Sequence, residues 1–182
     1  MLFRIHVGEL LEETPYGCPP GTSFRVENLF YNPPARLRFL KKAAFEGAAI
    51  GNIIARYIMA CPHISFKFVQ EGKLVYHSPG DGDLLTAIYC VYGKEAVQNL
   101  VALEGEDKDN SLGLRGYISR PEAARSNRNA QSFFGNGRYV QSSMLYRSLH
   151  GALGHRLMVG KFPAAALYTD LPYAGVGVNI HP

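Results

Sequence analysis

The sequence predicts an α+β chain built in two parts. Three observations carry this. Short runs alternate apolar and polar residues, the period of strands, and are bounded by turn residues. Between them lie stretches with apolar residues three and four apart, the period of helices. One run, "SPGDGD" at 78–83, holds a Pro, two Gly and two Asp, the strongest linker pattern present. The expected division is 1–78, a linker at 79–83, and 84–182.

The elements follow in order. "FRIHV" alternates as a strand, "ETPYGCPPGT" is a turn-rich loop, and "SFRVENLF" alternates again, with Phe24 and Val26 on one face. "NPPAR" opens a helix: Asn32 can cap, and the prolines sit where first-turn N–H groups need no partner. Leu37, Leu40 and Ala44 continue it. A second helix through "AAIGNIIARYIMAC" carries Ile50, Ile53, Ile54, Tyr57 and Ile58 on an apolar face, and Pro62 ends it. "ISFKFV" and "KLVYH" form a hairpin around "QEGK". These first strands and helices have few partners for their apolar faces, so they read as part of a larger sheet domain.

After the linker, "LLTAIYCVYG" is a short helix. "NLVALEG" and "LGLRGYIS" are strands, "RPEAARSNRNA" is a polar, Arg-rich loop, and "QSFFGN" is a strand. "SSMLYRSLHGALGHRLM" is an amphipathic helix with Leu145, Leu149, Leu153 and Leu157 four apart. "FPAAALYTDL" and "GVGVNI" are the last strands. One helix followed by β, β, β, α, β, β is an α+β order.

Composition excludes several classes. With 47% hydrophobic and 19% charged residues the chain is neither disordered nor collagen-like. No run reaches the ~20 apolar residues that span a bilayer, and the start lacks a secretory pattern, so the expectation is a cytoplasmic protein with no membrane partner. Cys18, Cys61 and Cys90 lie far apart without a CxxC or a nearby Cys/His cluster, which argues against zinc and for reduced thiols. There is no P-loop, HExxH, GxSxG or GxGxxG. His181, beside Pro182, reads as a capping or packing residue. No catalytic residue and no metal site is assigned.

Charge is placed unevenly. Residues 115–182 hold eight Lys/Arg against two Asp/Glu, whereas 1–114 hold eleven against thirteen. A polyanionic partner, most simply nucleic acid, accounts for the basic half, and so does a solvated basic face. Arg36, Arg38, Lys41 and Lys42 cluster at the first helix, and Arg120, Arg125, Arg128 and Arg138 around the later loop and strand. Asn127, Asn129 and Gln131 add neutral hydrogen-bonding groups. Arg offers a bidentate fork to phosphate. Nothing in the spacing reads bases, so binding would be weakly sequence-specific.

At "GTSFRVENLFYNPPARLRFL" the chain resembles the MutL family of DNA mismatch-repair proteins, whose pattern is close to GT-x₃-V-x₂-LF-x-N-x-PAR-x-x-FL. Gly21, Thr22, Val26, Leu29, Phe30, Asn32, Pro34, Ala35, Arg36, Phe39 and Leu40 match. "SFFGNGRYVQS" resembles the family's NGR element through Asn136, Gly137 and Arg138, and "GVGVNIHP" resembles its VDVNVHP. The chain departs from the family at Gly135, where Val or Ile is favoured, and at Gly177, which replaces Asp. Gln141 and Ser143 stand where relatives often carry basic residues.

The resemblance implies a fold: the C-terminal portion of a gyrase/Hsp90/histidine-kinase/MutL-type ATPase sandwich, followed by a transducer domain like domain 2 of ribosomal protein S5. It also implies an activity for the intact parent. ATP and Mg²⁺ binding would order a lid, pair two N-terminal domains as a homodimer and form a basic groove for DNA. A mismatch-recognition protein of the MutS type would be a partner. Gly21 and Thr22 correspond to what remains of the nucleotide pocket. The family's catalytic Glu, Mg²⁺-binding Asn, DxGxG motif and lid have no counterpart here, and its γ-phosphate Lys would fall two residues beyond Pro182. The expectation is therefore a piece cut at both ends that binds no ATP alone and has no ATPase activity of its own. For the DNA groove the candidates are Lys41, Lys42, Arg56, Arg120, Arg125, Arg128 and Arg138. A stand-alone, weakly sequence-specific nucleic-acid-binding module is the alternative, and an inert structural piece is a third reading.

Overall fold

A computed structural model describes residues 1–31, 34–109 and 111–172. They gather into two compact units, Met1–Glu46 and Gly47–Pro182. The expected "GVGVNI" strand, with Gly177, His181 and Pro182, and the Asn32 cap lie outside the described residues.

The first unit begins with an antiparallel hairpin, β1 (Leu2–His6) and β2 (Glu9–Thr14). Val7 and Gly8 both have positive φ, as a two-residue type I′ turn requires. The second strand of this pair is thus "ELLEET", not "SFRVENLF". Residues 23–30 form no strand: Phe24 and Val26 are exposed, and positive φ at Asn28 and Phe30 breaks the extended backbone. An extended segment without a ladder partner leaves its backbone groups to water. The first helix is also shorter than its periodicity suggests. α1 covers Pro34–Leu37 only, and the chain turns through bonds from Phe39 N–H to the Arg36 carbonyl and from Leu40 N–H to the Leu37 carbonyl. Nothing buries Phe39, and a short helix without packing is marginal. Among the described residues of Met1–Glu46, none is buried.

The second unit takes up nearly all of α2 (Ala43–Ala60), the hairpin of β3 (Phe66–Gln70) and β4 (Lys73–Ser78), and everything after it. The "SPGDGD" run is tied down. Ser78 Oγ accepts from Phe66 N–H, Gly82 N–H donates to the Pro62 carbonyl, and Asp83 caps α3 (Leu84–Tyr92) by accepting from Leu85 and Thr86 N–H. Then come α4 (Lys94–Gln98), β5 (Leu100–Asp107), β6 (Leu112–Ser119), β7 (Gln131–Gly135), β8 (Arg138–Val140), α5 (Ser143–Leu153) and β9 (Ala165–Asp170).

The sheet order is β5-β6-β9-β7-β8. β7 and β9 run parallel, a pairing that needs a crossover, and α5 supplies it. Alternation along β7 and β9 sorts the core onto two faces. Phe134, Ala166 and Tyr168 pack with Met59 of α2 and Ile88 of α3. Phe133, Ala165 and Leu167 pack with Leu149 of α5. Each large side chain so buried contributes about 1.5–3 kcal/mol.

The NGR element is a turn in this fold. Asn136 and Gly137, both at positive φ, close the β7–β8 hairpin. Asn136 also donates from Nδ2 to the Leu171 carbonyl at 3.1 Å and accepts Leu171 N–H at 2.8 Å, so its side chain prolongs the β7–β9 pairing by one step.

Candidate functional site

One face of α2 presents Asn52, Ala55, Arg56 and Met59, spaced so that all four project the same way. Opposite them stand Tyr76 of β4, Tyr92 of α3, Gln131 and Ser132 of β7, Tyr139 of β8 and Tyr146 of α5. With Arg128, Asn129, Val91 and Gln141 they wall a cleft of about 530 Å³. That volume suits a small ligand.

Two arginines charge this cleft and no carboxylate lines it. The Arg56 guanidinium lies 4.1 Å from the centre of the Tyr139 ring. Arg128 lies 4.7 Å from the centre of Phe162 and 5.6 Å from that of Tyr146. These cation–π contacts hold both heads in place. Among the described residues the salt bridges are Arg4–Glu12 and Arg25–Glu27, both in the first unit, so neither cleft arginine has an acidic partner.

Tyrosines brace the walls. Burial raises the Tyr92 hydroxyl above the ordinary phenol range, against a hydrogen bond with Ser132 Oγ at 2.9 Å. Burial, then the neighbouring Tyr139, raises Tyr146, while Arg56 and Arg128 both pull it down. Tyr146 thus feels both arginines. Gln131 is buried; its Nε2 donates to the Pro163 carbonyl at 3.0 Å, and its Oε1 accepts from no protein group.

Of the expected DNA-groove residues, the structure brings Arg56 and Arg128 together. Arg125 lines a separate pocket of about 180 Å³ with Glu95, its backbone paired to Phe162. Arg120 is exposed at the start of the Pro121–Ala123 turn, and Arg138 is exposed on β8. Lys41 and Lys42 are exposed in the first unit, where the Glu46 carboxylate accepts from Lys41 N–H. Gly21 and Thr22 lie exposed in an irregular segment. The sequence reading overlooked the four cleft tyrosines. Their only signal is a composition of eleven Tyr and no Trp.

Among solved structures, the chain is similar to the Aquifex aeolicus MutL ATPase domain complexed with ADP. The TM-score is 0.73 at 25% identity, covering 93% of this chain and 61% of that one. An N-terminal domain of a DNA repair protein shares the fold, with TM-score 0.66 at 21% identity over 85% of this chain and 51% of that one. The fold class is therefore the α+β architecture of a repair ATPase domain. Residues 88–182 match the family model for the C-terminal domain of DNA mismatch repair protein. MutL of Pelotomaculum thermopropionicum is 38% identical over 175 residues, which is 96% of this chain and 29% of that protein. MutL of Shouchella clausii is 36% identical over all 182 residues, 28% of its own length. The chain belongs to the MutL family of DNA mismatch-repair proteins, and it spans between a quarter and a third of the length of these relatives.

Proposed function

We propose that the chain is part of a MutL-type protein that couples ATP binding and hydrolysis to DNA binding and to activation of downstream repair factors. In this reading, residues 1–78 end an ATPase domain, 79–83 connect, and 84–182 are an S5 domain 2-like transducer. The exposed apolar side chains of Met1–Glu46 support reading that stretch as part of a larger domain; the boundary at 79–83 rests on the sequence pattern and the family resemblance, since the compact units divide at Glu46 and Gly47. ATP and Mg²⁺ serve the whole parent, with Gly21 and Thr22 at the edge of its pocket. A second copy and a MutS-type protein are its partners, in the cytoplasm.

The observation that carries the DNA reading is cationic. The basic half of the chain presents Arg120, Arg125, Arg128 and Arg138 exposed and without salt bridges among the described residues. With Arg56, Lys41 and Lys42 they supply phosphate contacts that position a duplex without reading it. Duplex affinity measured against salt tests this. Changing Arg125 and Arg128 to Glu weakens binding and flattens the slope by about one unit per lost contact. An unchanged affinity and slope would remove both from the groove.

A further inference from the structure

We propose that Tyr139 and Phe162 are positioning residues for DNA binding: their rings hold the Arg56 and Arg128 guanidinium groups ready for phosphate. The proposal rests on the reading of those two arginines as duplex contacts, and it names what sets them apart from the other basic candidates.

An exposed arginine meets phosphate at an entropic cost, because its long side chain must give up many rotamers. A neighbour that holds the side chain beforehand lowers that cost. A carboxylate can do so, but it offsets the charge and occupies the guanidinium fork. An aromatic ring attracts the cation through its face, keeps the full charge and brings no competing oxygen. The charge that displaces counterions from DNA is therefore undiminished.

Arg56 and Arg128 have such holders. Arg56 is half-buried on α2, with its guanidinium 4.1 Å from the centre of the Tyr139 ring. Arg128 is exposed in the loop before β7, 4.7 Å from the centre of Phe162. Among the described residues neither has a carboxylate partner, and Arg120, Arg125 and Arg138 have no ring beneath them.

The rings are themselves fixed. Tyr139 meets Phe134, a residue only 1% exposed, edge to face with centroids 5.8 Å apart. Its hydroxyl accepts from Gln141 Nε2 at 3.4 Å. Phe162 exchanges two backbone hydrogen bonds with Arg125, each 2.7 Å long. One ring thus ties Arg56 to the core of the sheet, and the other ties Arg128 to a β-bridge.

The test measures duplex affinity against salt for the 182-residue chain. Tyr139→Leu and Phe162→Leu each weaken binding about two- to fivefold. Both leave the salt slope as in the parent, because no charge is lost. Arg56→Gln and Arg128→Gln weaken binding at least as much and flatten the slope by about one unit each. Tyr139→Phe, which keeps the ring, recovers most of what Tyr139→Leu loses. Adding Tyr139→Leu to Arg56→Gln, or Phe162→Leu to Arg128→Gln, weakens binding no further, which separates positioning from a general structural effect. Circular dichroism confirms that each variant is folded, and the two rings are independent arms. Ring variants that bind like the parent, while the arginine variants bind more weakly, would overturn the proposal alone. So would a ring effect that persists undiminished once its arginine is gone. Affinity unchanged by both arginine variants would overturn the proposal together with the duplex reading of these arginines.

Discussion

The Tyr168 hydroxyl donates to the Met59 carbonyl at 2.9 Å, across 109 positions of sequence. Met59 lies in the last turn of α2, where carbonyls lack helical partners. One phenol therefore closes a helix end and fastens it to the central strand of the sheet. The same ring stacks on Phe134 with centroids 4.6 Å apart.

Tyr168→Phe keeps the ring and loses that bond, leaving a buried acceptor. Stability falls by about 1–3 kcal/mol, read from the urea midpoint at pH 7. The pH dependence also changes. Burial first, then Tyr92, raises the Tyr168 hydroxyl far above its ordinary value. Tyrosines in the unfolded chain ionise near pH ~10, where folded Tyr168 keeps its proton. Its contribution is thus full below about pH 10 and is lost as pH rises toward the folded value. The variant shows a shallower alkaline decline; an identical decline would mean that Tyr168 is not the group.

Asp83 shows the opposite sign. The Thr86 hydroxyl first, against the opposing effect of burial, and then the N–H groups of Leu85 and Thr86, hold its carboxyl below the usual carboxylate range. Its capping contribution is present above about pH 4 and fades as pH falls through the lower folded value. Asp83→Ala costs about 1 kcal/mol at neutral pH. Asp83→Asn keeps a cap and removes the acid dependence, which thermal melts between pH 2 and 7 would show (roughly the range in which a carboxylate titrates).

Two glycines in the sheet should respond in opposite directions. Gly116 has φ 141°, and a Cβ there would drive into the Ala166 carbonyl oxygen on the paired strand. Gly116→Ala should cost more than about 3 kcal/mol. At Gly135 a Cβ would meet Val140, Leu171 and Thr169 at 3.4–3.7 Å, an ordinary contact distance. Gly135→Ala should stabilise by about 0.5–1 kcal/mol, since glycine weakens a strand. Paired denaturation curves check both.

Asn136 serves as turn residue and as an extra rung of the sheet. Asn136→Ala removes both bonds to Leu171 and puts alanine at φ 47°. The expected loss is about 1–3 kcal/mol, with faster exchange of the Leu171 amide. Asn136→Gly keeps the turn and loses only the bonds, so its loss is smaller. Equal exchange in both variants and the parent would show that the side chain does not pair with Leu171.

Periodicity and turn chemistry by themselves determined the α+β class, the β3–β4 hairpin and, after the linker, α3, β5, β6, β7, α5 and β9, but not the short α4 and β8. Those features depend on contacts a few residues apart or on apolar faces that the sheet then covers. The GT…PAR and NGR motifs carried the family. Where no partner covers an apolar face, the local pattern failed: Phe24 and Val26 alternate like a strand and stay exposed, and Leu37 and Leu40 repeat like a helix that stops at Leu37. Tertiary structure decided the rest. Arg56 and Arg128 line one cleft only because β7, β8, α2 and α5 converge, over separations that no spacing rule records. The Gln131 acceptor and the Tyr168–Met59 bond have the same origin, since burial and long-range pairing belong to the folded chain as a whole.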